Sequence, residues 1–100
     1  MSSVELVKPT YSDCVFIARR MRALDAEEIL PLTRTGKPED TAMWAAHLGG
    51  YGYVALLDGK PVTAFGVYEN MPTVWCVWMF ATDDWPRVAL TVTKTIRREW

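Results

Sequence analysis

The side chains able to do chemistry in this chain are few and scattered. His47 is the single histidine, and the two cysteines, Cys14 and Cys76, lie far from it in sequence. A nucleophilic site would need a thiol, His47 and an aspartate to converge, because the imidazole takes the thiol proton and the carboxylate orients the imidazole. No local motif joins them. Isolated thiols in a reducing compartment read as small buried hydrophobes. His47, in the last turn of an expected helix before Gly49-Gly50, reads as a group serving the helix end. The carboxylate pairs Glu27-Glu28, Glu39-Asp40 and Asp83-Asp84 fall at expected helix starts, where the positive dipole end accounts for them without a metal. Arg19, Arg20 and Arg22, and again Lys94, Arg97 and Arg98, fall near expected helix C-termini and complement the opposite pole. No phosphate loop, dinucleotide fingerprint or zinc spacing occurs. The residues therefore yield no catalytic group, no cofactor-binding group, no metal ligand and no cofactor.

Aromatic residues are the stronger signal. Trp44, Trp75, Trp78, Trp85 and Trp100 make five tryptophans in 100 residues, and four of them fall between Trp75 and the last residue. Such rings bring large burial area and an N–H that needs a partner, so they belong in cores and interfaces. The chemistry on offer is recognition of another protein.

The elements that must position these rings follow from periodicity. Val4 to Lys8 alternates as a strand ending at Pro9. Thr10 with Asp13 is a helix start, and Val15, Ile17, Ala18, Met21 and Leu24 predict a helix over Tyr11 to Ala23. Asp25 with Glu28 repeats the capping signal for a short helix that Pro31 cuts off. The stretch 33–40 has loop composition and is the candidate mobile segment. Pro38, Glu39 and Asp40 open a helix that Gly49 and Gly50 stop. From Tyr51 the period becomes two. Asp58-Gly59 between β-rich runs predicts a two-residue hairpin turn with positive φ at both positions. Glu69-Asn70-Met71-Pro72 predicts the next turn, and Thr73 to Phe80 a third strand. Its apolar faces, Val74, Cys76, Trp78 and Phe80 against Trp75, Val77 and Met79, predict cover on both sides. After Ala81-Thr-Asp-Asp-Trp-Pro, Asp83 or Asp84 caps a last helix with Trp85, Val88, Val92, Ile96 and Trp100 on one stripe.

The order is thus β-α-α-(α)-β-β-β-α: an α+β fold with an antiparallel meander packed by helices, in a single domain over 1–100. Eleven basic and 12 acidic side chains give a net charge of -1 and half of the residues are apolar, which excludes a disordered tail and argues against nucleic acid as the partner. Apolar runs fall far short of the roughly 20 residues of a membrane span. The start, Met-Ser-Ser-Val-Glu-Leu-Val-Lys, has no secretion-signal pattern, so a cytoplasmic location is expected.

This order resembles the first half of the GCN5-related N-acetyltransferase fold. Tyr53 to Val67, with its Asp58-Gly59 turn, is similar to the second and third strands of that family. Pro9-Thr-Tyr-Ser-Asp-Cys14, Ala64-Phe-Gly-Val67 and the Trp-rich run from Trp75 to Asp83 resemble small acetyltransferase-like proteins of short-tailed bacteriophages, including internal virion and assembly proteins. Active members of the broad family hold the acetyl-CoA pyrophosphate on a glycine-rich loop at a helix start. Here the corresponding segment, Ala81 to Pro86, has no glycine, carries Asp83 and Asp84, and loses an N–H at Pro86. The resemblance also implies a domain truncated relative to the family.

Together these features lead to the expectation of a non-enzymatic virion component or assembly factor, in the host cytoplasm or the particle. Its contacts would be with other virion or assembly proteins, or with itself through an open strand edge. The candidate interface is Trp75, Trp78, Met79, Phe80, Trp85 and Trp100. The alternatives are a small acetyl-CoA-dependent N-acyltransferase, with the Met79 to Ala81 strand end receiving the pantetheine arm, and an adaptor or inhibitor of a host protein.

Overall fold

Alternating residues from Val4 start the sheet, and the chain then follows the expected order of elements. The computed structural model describes residues 3–48 and 50–99. It contains β1 (Val4–Val7), α1 (Tyr11–Ala18), α2 (Ala23–Ile29), a 3-10 turn at Leu30–Leu32, α3 (Pro38–His47), β2 (Tyr51–Leu57), β3 (Lys60–Met71), β4 (Val74–Ala81), a 3-10 turn at Trp85–Arg87 and α4 (Ala89–Glu99). The fold is α+β, with four antiparallel strands in the order β1-β2-β3-β4.

Each face of the sheet has its own core. Cys14, Ile17 and Ala18 of α1 and Ala42 and Ala45 of α3 pack on Val54, Ala64 and Phe80. On the opposite face Val88 and Val92 pack on Ala55, Leu57, Val62 and Phe65. Small residues on α3 let that helix approach α1 closely, and the stripe through Val88, Val92 and Ile96 seats α4 as its spacing predicts.

Local signals hold where their partners are local. Thr10 Oγ1 accepts the Asp13 N–H at 3.2 Å and caps α1. Pro38 stands at the start of α3 with Glu39 and Asp40 in its first turn. Asp58 and Gly59 have φ of 51° and 85°, the mirror-image turn that matches the twist of β2 and β3. Ser3 N–H donates to Asp58 Oδ1 at 2.7 Å and Asp58 N–H returns a bond to Ser3 O at 2.8 Å, tying the approach to β1 to that turn. The 33–40 segment is tethered: the N–H and hydroxyl of Thr35 donate to Asp40 Oδ2, and Gly36 N–H donates to Thr33 Oγ1.

Four expectations are corrected. The first helix ends at Ala18 rather than Ala23, because Met21 bridges to Thr82 and Arg22 N–H donates to Ala81 O, taking the backbone out of helical register. Asp25 does not cap α2; it lies in the first turn, and its carboxylate is used by Arg22 and Ala81. Neither Asp83 nor Asp84 caps the long last helix: a 3-10 turn around Pro86 intervenes, and Thr82 O and Oγ1 receive the N–H groups of Trp85 and Asp84. Finally, β3 runs to Met71 and the turn falls at Pro72-Thr73, with Thr73 at φ 67°. The expected stop at Gly49 and the last ring of the α4 stripe, Trp100, lie outside the described residues.

Candidate functional site

β4 forms the outer edge of the sheet, and antiparallel geometry fixes which of its main-chain groups face outward. Thr82 N–H donates to Val62 O at 2.8 Å. Carried along the register from Thr63↔Ala81 to Glu69↔Trp75, this makes the even-numbered residues of β4 the ones that exchange bonds with β3. The N–H and C=O of Trp75, Val77, Met79 and Ala81 point away from the sheet. At Ala81 these outward groups are already taken. Its C=O accepts the Arg22 N–H at 2.9 Å, and its N–H donates to Asp25 Oδ2 at 3.0 Å. Arg22 grips the same carboxylate with two bonds of 2.8 and 3.0 Å. This clamp closes one end of the edge, and the reversal at Thr73 closes the other. Between them, among the described residues, no strand covers Trp75 to Met79.

Side chains on the α4 side of this edge are uncovered as well. Trp75 is 51% exposed, Val77 67% and Tyr51 67%. The Tyr51 and Trp75 ring centroids are 6.1 Å apart, and Val67, in register between β2 and β4, is buried. The expected cover on both faces of this strand is therefore wrong for its first half: α4 lies over Ala55, Val62 and Phe65 and stops short of Trp75 and Val77. Contiguous exposed aromatic and aliphatic surface beside an unsatisfied edge is the signature of a docking site. β4, Val74-Trp-Cys-Val-Trp-Met-Phe-Ala81, carries none of the charges or prolines that protect edge strands.

The candidate interface residues divide by position. Trp75 is on the open surface. Trp78 faces α3: its ring meets Trp44 edge-on at 5.4 Å and stacks near Phe80 at 6.0 Å. It also lies over Gly52 and Gly66, where a Cβ on Gly66 would come within 2.8 Å of Trp78 Cζ2 and 2.6 Å of Tyr51 O. Phe80 is 2% exposed and belongs to the α1–α3 core. Met79 and Trp85 are half-buried against the α4 core, and the Arg22 guanidinium stands 5.9 Å from the Trp85 ring. Trp100 is outside the described residues. Val77 and Tyr51 were missed as surface residues, although period-two alternation places Val77 beside Trp75. The Arg22–Asp25 clamp had no local signature.

Groups considered for catalysis are engaged elsewhere or dispersed. Cys14 is wholly buried, and burial, followed by the Asp13 charge, pushes its thiol up to about 11; it is no thiolate at neutral pH. Cys76 faces Tyr68 across the β3–β4 pair, and it, more than burial, raises the phenol above its ordinary value. His47 is exposed at the end of α3. Arg19 pairs with Glu39 at 2.7 Å and this bond holds the Glu39 carboxyl below its usual range. Asp84 pairs with Lys60 at 3.0 Å. Among the described residues no three His, Cys, Asp or Glu side chains cluster as metal ligands, and no helix is long and apolar enough to cross a membrane. A groove of about 720 Å³ between the 30–34 segment and α3 is lined by Leu32, Met43, Trp44, Leu48 and Tyr68 together with Thr33, Arg34, Asp40 and Thr41; Asp40 is engaged by Thr35, and the buried Thr41 hydroxyl has no hydrogen-bond partner among the described residues.

In the 81–86 segment the N–H groups of Ala81, Thr82, Asp84 and Trp85 all donate within the protein, to Asp25 Oδ2, Val62 O, Thr82 Oγ1 and Thr82 O. Protein-family models, curated proteins and solved structures were compared with the chain, and none matches.

Proposed function

We propose that this chain is a non-enzymatic interaction domain that docks another polypeptide on the outer edge of β4, working as a virion component or assembly factor of a short-tailed phage on an acetyltransferase-like scaffold. The observation that carries the docking role is the run Trp75 to Met79: an uncharged strand with outward main-chain groups and, beside it, the exposed rings of Trp75 and Tyr51. An incoming strand would satisfy those groups, while its alternate side chains would cover Val77 and Trp75. The phage setting rests on the sequence resemblance, and with it the host cytoplasm or the particle as the location.

The acyltransferase alternative meets an obstacle in the 81–86 segment, where the N–H groups of Ala81, Thr82, Asp84 and Trp85 are spent internally and the carboxylates repel phosphate. Acetyl-CoA should bind no more tightly than about millimolar, the scale of non-specific affinity. Two experiments test the proposal. Mass spectrometry of purified particles and assembly intermediates should detect the chain, and Val77→Pro should lower its incorporation. Proline at 77 removes an outward N–H and spares the β3–β4 ladder. A micromolar dissociation constant for acetyl-CoA in calorimetry, or acetylation of a supplied amine, would overturn the proposal in favour of the enzyme.

A further inference from the structure

The open part of β4 is symmetric about one residue. Its limits are Thr73, where positive φ turns the chain back towards β3, and Ala81, whose outward groups are held by Arg22 and Asp25. The residue midway between them is Val77, and Val77 is one of the residues whose N–H and C=O both face outward. An antiparallel two-fold axis can pass through a pair in which a residue exchanges both bonds with its own copy. The axis at Val77 meets that requirement.

From this we infer that the edge takes a second copy of the same chain, paired antiparallel about an axis at Val77; the inference rests on the docking role proposed above and names its partner. Trp75 of each copy then exchanges both bonds with Met79 of the other, and Val77 with Val77. The pairing ends where each copy reaches the Arg22–Asp25 clamp of its neighbour, so the clamp sets the register. No charged side chain occurs between Val74 and Ala81, so antiparallel self-pairing places no like charges opposite one another, the usual obstacle to a homodimeric edge. Size also matches: the half-exposed Trp75 ring meets the flexible thioether of Met79, a favourable sulfur–aromatic contact. With an axis perpendicular to the sheet, the α4 layers of both copies lie on one face and the α1–α3 layers on the other. The two sheets merge into one, and Val77, now 67% exposed, faces its equivalent at about 5 Å between Cβ atoms.

The axis dictates the experiment. Sedimentation equilibrium of the parent should give twice the monomer mass. Val77→Lys and Val77→Glu, each opposing like charges across the axis, should weaken self-association about tenfold or more. Mixing the two variants should restore dimers as Lys/Glu heterodimers, a result no partner other than a second copy can produce. Val77→Pro, which removes an outward donor without adding charge, should also be monomeric with its thermal unfolding retained. A parent that stays monomeric at its highest soluble concentration overturns the self-pairing, as do dimers that survive Val77→Lys. The docking role itself is judged separately: it stands if Val77→Pro still lowers particle incorporation and falls if incorporation is unchanged.

Discussion

Asp25 Oδ2 accepts the N–H of Ala81 at 3.0 Å across 56 residues of sequence, while the same carboxylate receives two bonds from Arg22. One buried side chain thus joins the turn after α1 to the end of the edge strand. Asp25→Ala leaves the Ala81 N–H and the Arg22 guanidinium without this acceptor, and should cost about 2–3 kcal/mol. Thermal unfolding would fall by on the order of 10 °C for a domain of this size. Asp25→Asn, which keeps one acceptor, should cost less. An unchanged transition in Asp25→Ala would show that the clamp does not hold the end of β4.

The two neighbouring tryptophans on opposite faces of β4 should behave differently. Trp78→Ala empties the space over Gly52 and Gly66 and strips Trp44 and Phe80 of a neighbour, at a cost of about 3–5 kcal/mol in folding stability. Trp75→Ala, at a half-exposed position, should leave the unfolding midpoint near that of the parent and weaken association by about 2 kcal/mol or more. Circular dichroism melts and sedimentation on the same samples separate the effects. Loss of association by Trp75→Ala only through unfolding would place that ring in the core.

Alkaline pH offers a test of the α1–α3 core. The Cys14 thiol titrates at about 11 in the folded chain against an ordinary value of 9.0. Its folded value is raised, so its contribution is complete below about pH 9 and is lost as pH rises towards 11, because the unfolded chain releases the proton first. A rise of that size corresponds to roughly 2 to 3 kcal/mol at most. Denaturant titrations between pH 8 and 11 should show this decline in the parent, beyond that of Cys14→Ala. Parallel pH profiles would mean that the thiol is not desolvated.

Short-range chemistry was readable in the residues themselves. Thr10 before Asp13, Pro38 before Glu39-Asp40 and Asp58-Gly59 each act within a few positions, and each forms the cap, helix start or turn that its composition dictates. What escaped the sequence depends on partners far away in the chain. The early end of α1 follows from bonds to Ala81 and Thr82, and no local pattern signals those. The apolar faces of β4 suggested cover on both sides, yet where α4 lies is decided by its packing on Val62 and Phe65. The distinction between Trp75 and Trp78 had a faint sequence trace. Gly52 and Gly66 interrupt otherwise β-rich runs, as glycines do where a ring or backbone approaches closely.

Hydrogen exchange at the Val77 amide tests the docking edge most directly, because that N–H points outward and serves nothing else in β3 or β4. In dilute, unassembled protein it should exchange rapidly, while the Trp78 amide, on the β3 side of the strand, is protected. In the assembled form, self-paired or incorporated in a particle, the Val77 amide should slow markedly with little change at Trp78. Equally rapid exchange of Val77 in both states, or protection already present in the dilute chain, would contradict the claim that the outer edge of β4 is where this protein binds.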